Sequence, residues 1–170
     1  MATPEETIIA NKTSRNGGAV GMNAITPRFV RQYIDEVRGL DDEFLMLDFG
    51  AGKAAAHARK FVADGYPCLA YEFGENVDPR FHCELALMNK YDIVYASNVL
   101  NVQSSVPMLF ETLDTIKSVM HETGVFFANY PNSPRKTPLT TGEMQQLLLQ
   151  KFDSVERVGG TKNAPLWKIG

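Results

Sequence analysis

The stretch Leu45-Met46-Leu47-Asp48-Phe49-Gly50-Ala51-Gly52 decides how the rest of the chain is read. An apolar run, Phe44 to Phe49, ends in an acid and two glycines. The alanine-rich segment Lys53 to Asp64 comes next, and Gly65 closes it. The order predicts a buried strand, a tight turn and a helix. Glycine permits such a turn and lets backbone approach a ligand with no Cβ between them. The helix after the turn begins with N–H groups that have no partner inside it. In doubly wound α/β sheets this turn stands at the carboxyl end of a strand, where ligands bind.

The alternation continues on both sides. Residues 1–25 are polar and glycine-containing and read as an arm or lid, leaving 26–170 as one domain. Thr26-Pro27 predicts a helix start, with Thr26 as N-cap and Pro27 in the first turn. Phe29, Val30, Tyr33, Ile34 and Val37 then recur at helical spacing, and Gly39 is the expected stop. Downstream, strands are predicted at Pro67–Phe73, Tyr91–Ala96, Val125–Tyr130, Phe152–Val158 and Pro165–Ile169. Helices are predicted at Val106–His121, stopping near Gly124, and at Thr141–Lys151. Strands alternating with helices predict an α/β domain with a largely parallel sheet. One interval is short: eighteen residues separate Glu72 from Tyr91, where a whole strand–helix–strand unit takes about thirty. We expect no long helix between Asn76 and Lys90, and Arg80–Cys83 as a minimal strand.

Composition narrows the function. The chain has 170 residues, 44% hydrophobic and 22% charged, which argues against general disorder. Seventeen Lys and Arg against twenty Asp and Glu leave a formal charge of −3 and exclude a strongly basic nucleic-acid coat. Two local basic clusters remain, Lys12 with Arg15 in the arm and Arg135 with Lys136 downstream. No apolar run approaches membrane-spanning length. The first ten residues, with Glu5 and Glu6, do not read as a secretory signal. Cys68 and Cys83 are isolated and fit a reduced, cytoplasmic setting. Together with three scattered histidines they make no metal spacing, so no metal is expected.

Two ligands compete for the glycine turn. Gly50-Ala51-Gly52-Lys53-Ala54-Ala55 formally fits the dinucleotide pattern G-x-G-x-x-G/A. Asp48, however, stands two residues before the first glycine, where a carboxylate repels a pyrophosphate and attracts an ammonium group. S-adenosylmethionine offers an ammonium, a ribose and an adenine. Glu72, twenty residues after Gly52, can accept both ribose hydroxyls of either cofactor. The set Asp48, Gly50, Gly52 and Glu72 favours S-adenosylmethionine over a nicotinamide nucleotide.

These residues resemble motif I of the class I S-adenosylmethionine-dependent methyltransferases. Glu72 matches the acid after that family's second strand, and Tyr91 to Leu100 its fourth strand and the loop after it. More distantly, Val99-Leu100-Asn101-Val102 with Lys12 to Arg15 is similar to small methyltransferase-like proteins of phages and of DNA phosphorothioation systems. The resemblance implies a Rossmann-like α/β/α sandwich whose seven strands run 3-2-1-4-5-7-6, with the last antiparallel. It implies cofactor contacts from Asp48, Phe49, Gly50, Ala51, Gly52, Glu72, Phe73, Ser97 and Asn98, with Asn98 and Asn101 bordering the acceptor. The chain departs from the amino-group DNA methyltransferases, because Ser97-Asn98-Val99-Leu100 stands where they carry Asn-Pro-Pro-Tyr or Asp-Pro-Pro-Tyr. Pro67-Cys68 lies in a predicted strand, where a cysteine reads as core rather than nucleophile. His82 could reach the cofactor edge. The expected function is methyl transfer to a nucleic acid or a small molecule. Lys12, Arg15, Arg135 and Lys136 are the candidate phosphate contacts, and a non-catalytic S-adenosylmethionine-binding module is the alternative.

Overall fold

The computed structural model describes residues 3–6, 24–38 and 44–170. Among these residues six strands form one sheet: β1 (Met46–Phe49), β2 (Cys68–Tyr71), β3 (Tyr91–Ala96), β4 (Met120–Asn129), β5 (Val155–Thr161) and β6 (Ala164–Ile169). Their order is β2-β1-β3-β4-β6-β5. β1 pairs in parallel with β2 and β3, β3 in parallel with β4, and β6 lies antiparallel to both β4 and β5. This is the expected seven-stranded order without its outermost strand. Arg80–Cys83, expected as that strand, is a turn: the chain there folds back on itself through Phe81 and His82 N–H bonds to the Asp78 carbonyl, both 2.9 Å. Cys83 N–H reaches the Ala70 carbonyl at 2.9 Å, a single bond where a paired strand would give a ladder. Between Asn76 and Lys90 the helical content is the end of one short turn, Gly74–Asn76, and a second, Ala86–Met88, as its length required.

Helices cover both faces. α1 (Ile25–Tyr33, continued by a wider turn over Ile34–Arg38) and α2 (Ala56–Ala63) lie on one, α3 (Val106–Ser118) and α4 (Thr141–Lys151) on the other. Every residue of β1 is buried. Met46 packs with Val30, Ile34, Ala58 and Phe61, while Leu47 and Phe49 pack with Leu109, Leu113, Met144 and Trp167. A parallel strand covered on both sides reads as a continuous apolar run, and Asp48 is the one charged residue inside it.

Several boundaries differ from expectation: β4 starts at Met120 rather than Val125, β5 spans Val155–Thr161 rather than Phe152–Val158, and three further differences have a local cause. α2 starts at Ala56 rather than Lys53, because Ala55 before it is held left-handed at φ 46°. Thr26 is not the N-cap of α1: Ala24 holds that place without a side-chain bond, and Thr26 is fully buried inside the helix. Gly124 does not stop α3, which ends at Ser118. It lies within β4, where a Cβ would come within 2.9 Å of the Tyr91 carbonyl oxygen. The expected stop at Gly39 lies outside the described residues. Among the described residues, no helix is long and apolar enough to cross a membrane.

Candidate cofactor site

Strands β2 and β3 leave β1 in opposite directions across the sheet, so the carboxyl end of β1 opens at a topological switch point. Gly50 and Gly52 turn the chain there with φ of +74° and +80°. Their surroundings differ. A Cβ on Gly50 would stand 2.6 Å from Val99 Cγ2, so this glycine permits close packing of the loop after β1 on the loop after β3. A Cβ on Gly52 would meet nothing within 4 Å, so that side of the turn is open.

The loop is tied to the residues at the end of β2. Gly50 and Ala51 N–H donate to the Tyr71 carbonyl at 2.9 and 3.0 Å. Gly52 N–H donates to Glu72 Oε2 at 2.8 Å, and Phe73 N–H donates to Glu72 Oε1 at 3.0 Å. Each carboxylate oxygen has two acceptor directions, so Glu72 retains one on each oxygen. Burial raises its pKa, against the pull of the Phe73 and Gly52 N–H groups. The Gly52 carbonyl accepts from Ala55 N–H at 3.2 Å and lies 2.7 Å from His82 Nε2.

Asp48 lies beneath this loop and is 1% exposed. Its Oδ2 has no hydrogen-bond partner among the described residues. Burial pushes its pKa up to about 7; the charge of Glu72 adds to this, and the Tyr95 hydroxyl and Ala58 N–H oppose it. A buried, half-satisfied carboxyl beside a second acid is an unstable arrangement until a cation or donor reaches it. Cys68, next to Tyr95 in the same layer, has its thiol raised by burial first and by Asp48 second, so it is no nucleophile at neutral pH.

The loop after β3 holds Ser97 and Asn98, both half-buried. Asn98 is left-handed at φ 58°. Its N–H donates to Asn129 Oδ1 at 2.8 Å, and Asn129 Nδ2 donates to Asn98 Oδ1 at 2.7 Å. Thr26 Oγ1 donates to the same Asn129 oxygen at 3.0 Å, which ties α1 to the ends of β3 and β4. Asn101 is 1% exposed, and its Oδ1 has no hydrogen-bond partner among the described residues. Its Nδ2 donates to the Pro134 carbonyl at 2.7 Å, and its own carbonyl accepts from Lys136 and Thr137 N–H. Phe49 is a core side chain, 4.9 Å from the ring of Tyr71, so only its backbone faces the turn. Phe73 packs against Val102 and Met108.

The basic clusters fare differently. Lys12 and Arg15 lie outside the described residues. Arg135 bonds the carbonyls of Tyr130, Pro131 and Asn163 and the hydroxyl of Thr141, with its guanidinium 3.8 Å from the Tyr130 ring centre. It staples the loop after β4 instead of facing outward. Lys136 is exposed. The structure thus brings Asp48, Gly50, Gly52 and Glu72 together and gathers Ser97 and Asn98 at the same sheet edge. The parts played by Asn129 and Thr26 had no signal in the sequence, because their bonds join segments thirty or more residues apart, whereas His82, expected at the cofactor edge, does reach the glycine turn.

No family model and no curated protein sequence matches the chain. Solved structures do. Magnesium protoporphyrin IX methyltransferase from Synechocystis PCC 6803, with bound S-adenosylmethionine, is 15% identical and aligns over 99% of this chain and 97% of its own, with a TM-score of 0.61. A TehB-like S-adenosylmethionine-dependent methyltransferase from Corynebacterium glutamicum is 14% identical over 98% of both chains, with a TM-score of 0.62. The glycopeptide N-methyltransferase MtfA complexed with S-adenosylmethionine is 12% identical over 89% of this chain and 96% of its own, with a TM-score of 0.60. The chain has the class I methyltransferase fold.

Proposed function

We propose that the chain binds S-adenosylmethionine at the carboxyl end of β1 and transfers its methyl group to a small-molecule or peptide acceptor. One observation carries the reading: an open glycine turn at the switch point is latched by Glu72 and lies over a buried carboxyl with an unpartnered oxygen. Those residues suit this cofactor. The remaining acceptor directions of Glu72 match a pair of ribose hydroxyls. Asp48 supplies the anion that an ammonium group needs, directly or through water, and that a nicotinamide dinucleotide's pyrophosphate would oppose. The open side of Gly52 leaves backbone approachable.

When bound, the cofactor supplies a methyl group already activated on a sulfonium. The protein therefore needs no nucleophile of its own. It has to hold the acceptor in line and exclude water. Ser97 and Asn98 stand at the sheet edge where an acceptor would be held, and Asn129 fixes the backbone of Asn98. Asn101 gives its Nδ2 to the Pro134 carbonyl and keeps an Oδ1 with no partner among the described residues.

The acceptor class rests on two supports. Arg135 is spent inside the fold, which leaves Lys136 as the exposed cation of the downstream pair. Two of the similar structures are methyltransferases named for a porphyrin and a glycopeptide. A second reading, a chain that holds the cofactor without turnover, is favoured by the internal commitment of both Asn98 and Asn101. Incubation with S-adenosylmethionine labelled on its methyl group and a panel of small-molecule, peptide and nucleic-acid acceptors tests the proposal. Label in a small molecule or peptide is expected. Label in nucleic acid alone overturns the acceptor class, and cofactor binding with no transfer favours the second reading.

A further inference from the structure

Gly52 is gripped from both sides by one short piece of chain. Its N–H goes to Glu72 and its carbonyl meets His82, so residues 72–82 begin and end on the same glycine. The other ring nitrogen fixes the direction of the second bond. Asp78 N–H, which can only donate, lies 2.8 Å from His82 Nδ1. Nδ1 is therefore the acceptor, Nε2 carries the hydrogen, and His82 donates to the Gly52 carbonyl. The ring is 8% exposed. Its turn is built locally: Arg80 holds Asp78 with bonds of 3.1 and 2.8 Å, and the guanidinium groups of Arg59 and Arg80 lie 4.4 and 5.1 Å from the Phe81 ring centre.

We propose that His82 is a positioning residue for the glycine turn. It holds the Gly52 carbonyl so that Gly52, free of steric restraint on its open side, presents one backbone conformation to the cofactor. Among the described residues no outer strand braces this edge of the sheet, and the 72–82 loop braces it through this glycine. A turn fixed before binding spares the cofactor the cost of ordering it. The proposal rests on the reading of this turn as the S-adenosylmethionine site.

Two substitutions separate positioning from local folding. In His82→Asn, Oδ1 sits as many bonds from the backbone as Nδ1 did. The Asp78 bond is kept, but the side chain stops short of Gly52. In His82→Gln, Nε2 reaches as far as the histidine's and keeps the Gly52 bond. The readouts are S-adenosylhomocysteine affinity by titration calorimetry and exchange of the Gly52 amide by NMR in ligand-free protein. His82→Asn should bind roughly three- to tenfold more weakly and exchange Gly52 faster at a near-unchanged melting temperature, while His82→Gln should restore both. Wild-type affinity in His82→Asn, or a His82→Gln as weak as His82→Asn, overturns the assignment. Should His82→Asn fail to fold, His82→Gln decides alone, and a folded His82→Gln with lost affinity overturns it. A wild-type protein that binds no S-adenosylhomocysteine overturns the functional reading and with it the role in binding; amide exchange then still judges the grip on Gly52.

Discussion

Asp48 carries the sharpest residue-scale consequence. Its ordinary pKa of 3.8 is pushed to about 7, chiefly by burial. Below pH 4 the carboxyl is neutral whether the chain is folded or not. Between about pH 4 and 7 the folded chain holds a proton that the unfolded chain releases, so this group's contribution to stability falls as pH rises. Asp48→Asn should therefore change little at pH 4 and stabilise the ligand-free protein above pH 7, by up to about 4 kcal/mol. Urea unfolding at the two pH values measures it, and an equal gain at both contradicts the account. A cofactor ammonium favours the ionised carboxylate, so binding near pH 6.5 should release a proton, read as a buffer-dependent enthalpy. The glycines give a second prediction. Gly50→Ala meets both a positive φ and Val99, and should cost roughly 2–4 kcal/mol. Gly52→Ala meets only the positive φ and should cost about 1–2 kcal/mol, yet lose cofactor affinity because its methyl enters the open side. Equal stability losses would mean that Val99 does not press on Gly50. Asp48 and both glycines were legible in the sequence because a charge inside an apolar run and two glycines at its end are local signals. The depth of Asp48 was not, since burial depends on α2 and β3 folding over it.

At the scale of elements, local chemistry marked some boundaries and misled at others. Thr140 and Glu143 form a reciprocal cap, with bonds of 3.1 and 3.0 Å, and α4 begins and ends where its pattern placed it. Thr26 before a proline carries the same kind of signal, but its hydroxyl is used by Asn129, 103 residues away, and the helix starts two residues earlier than that cap would place it. Tertiary demand outweighed the cap. The loop after β4 shows the same effect: paired cations read as a phosphate contact, yet the Arg135 guanidinium serves four acceptors within the fold. Arg135→Ala should thus lower stability by about 1–3 kcal/mol, while Lys136→Ala should fall within about 0.5 kcal/mol of wild type. Thermal unfolding of the two variants measures the difference. A stable Arg135→Ala would free Arg135 from this structural duty and restore it as a surface contact.

For the whole molecule, alternation of strands and helices was enough to read an α/β domain with a largely parallel sheet, and the resemblance of the glycine turn to a known family implied the strand order. The outer edge was legible only as a shortage of residues. That shortage excluded a long helix between Asn76 and Lys90, but it could not say that the segment closes back on the glycine turn, since no sequence period reports a bond between residues 52 and 82. The consequence is a candidate cofactor site whose walls are one strand end, one shortened loop and one acid. Glu72 ties the glycine turn to the end of β2, and it is half-buried at the sheet edge rather than in the packed core. A hydrogen bond to a charged group contributes about 1.5–3 kcal/mol, and about 1.4 kcal/mol is tenfold in affinity. Titration calorimetry of S-adenosylmethionine into wild type and Glu72→Ala, with circular dichroism as the folding control, tests the central claim most directly. The account predicts one site per wild-type chain and at least about tenfold weaker binding to a folded Glu72→Ala. Equal affinity in the two proteins, or no binding to the wild type, would contradict it.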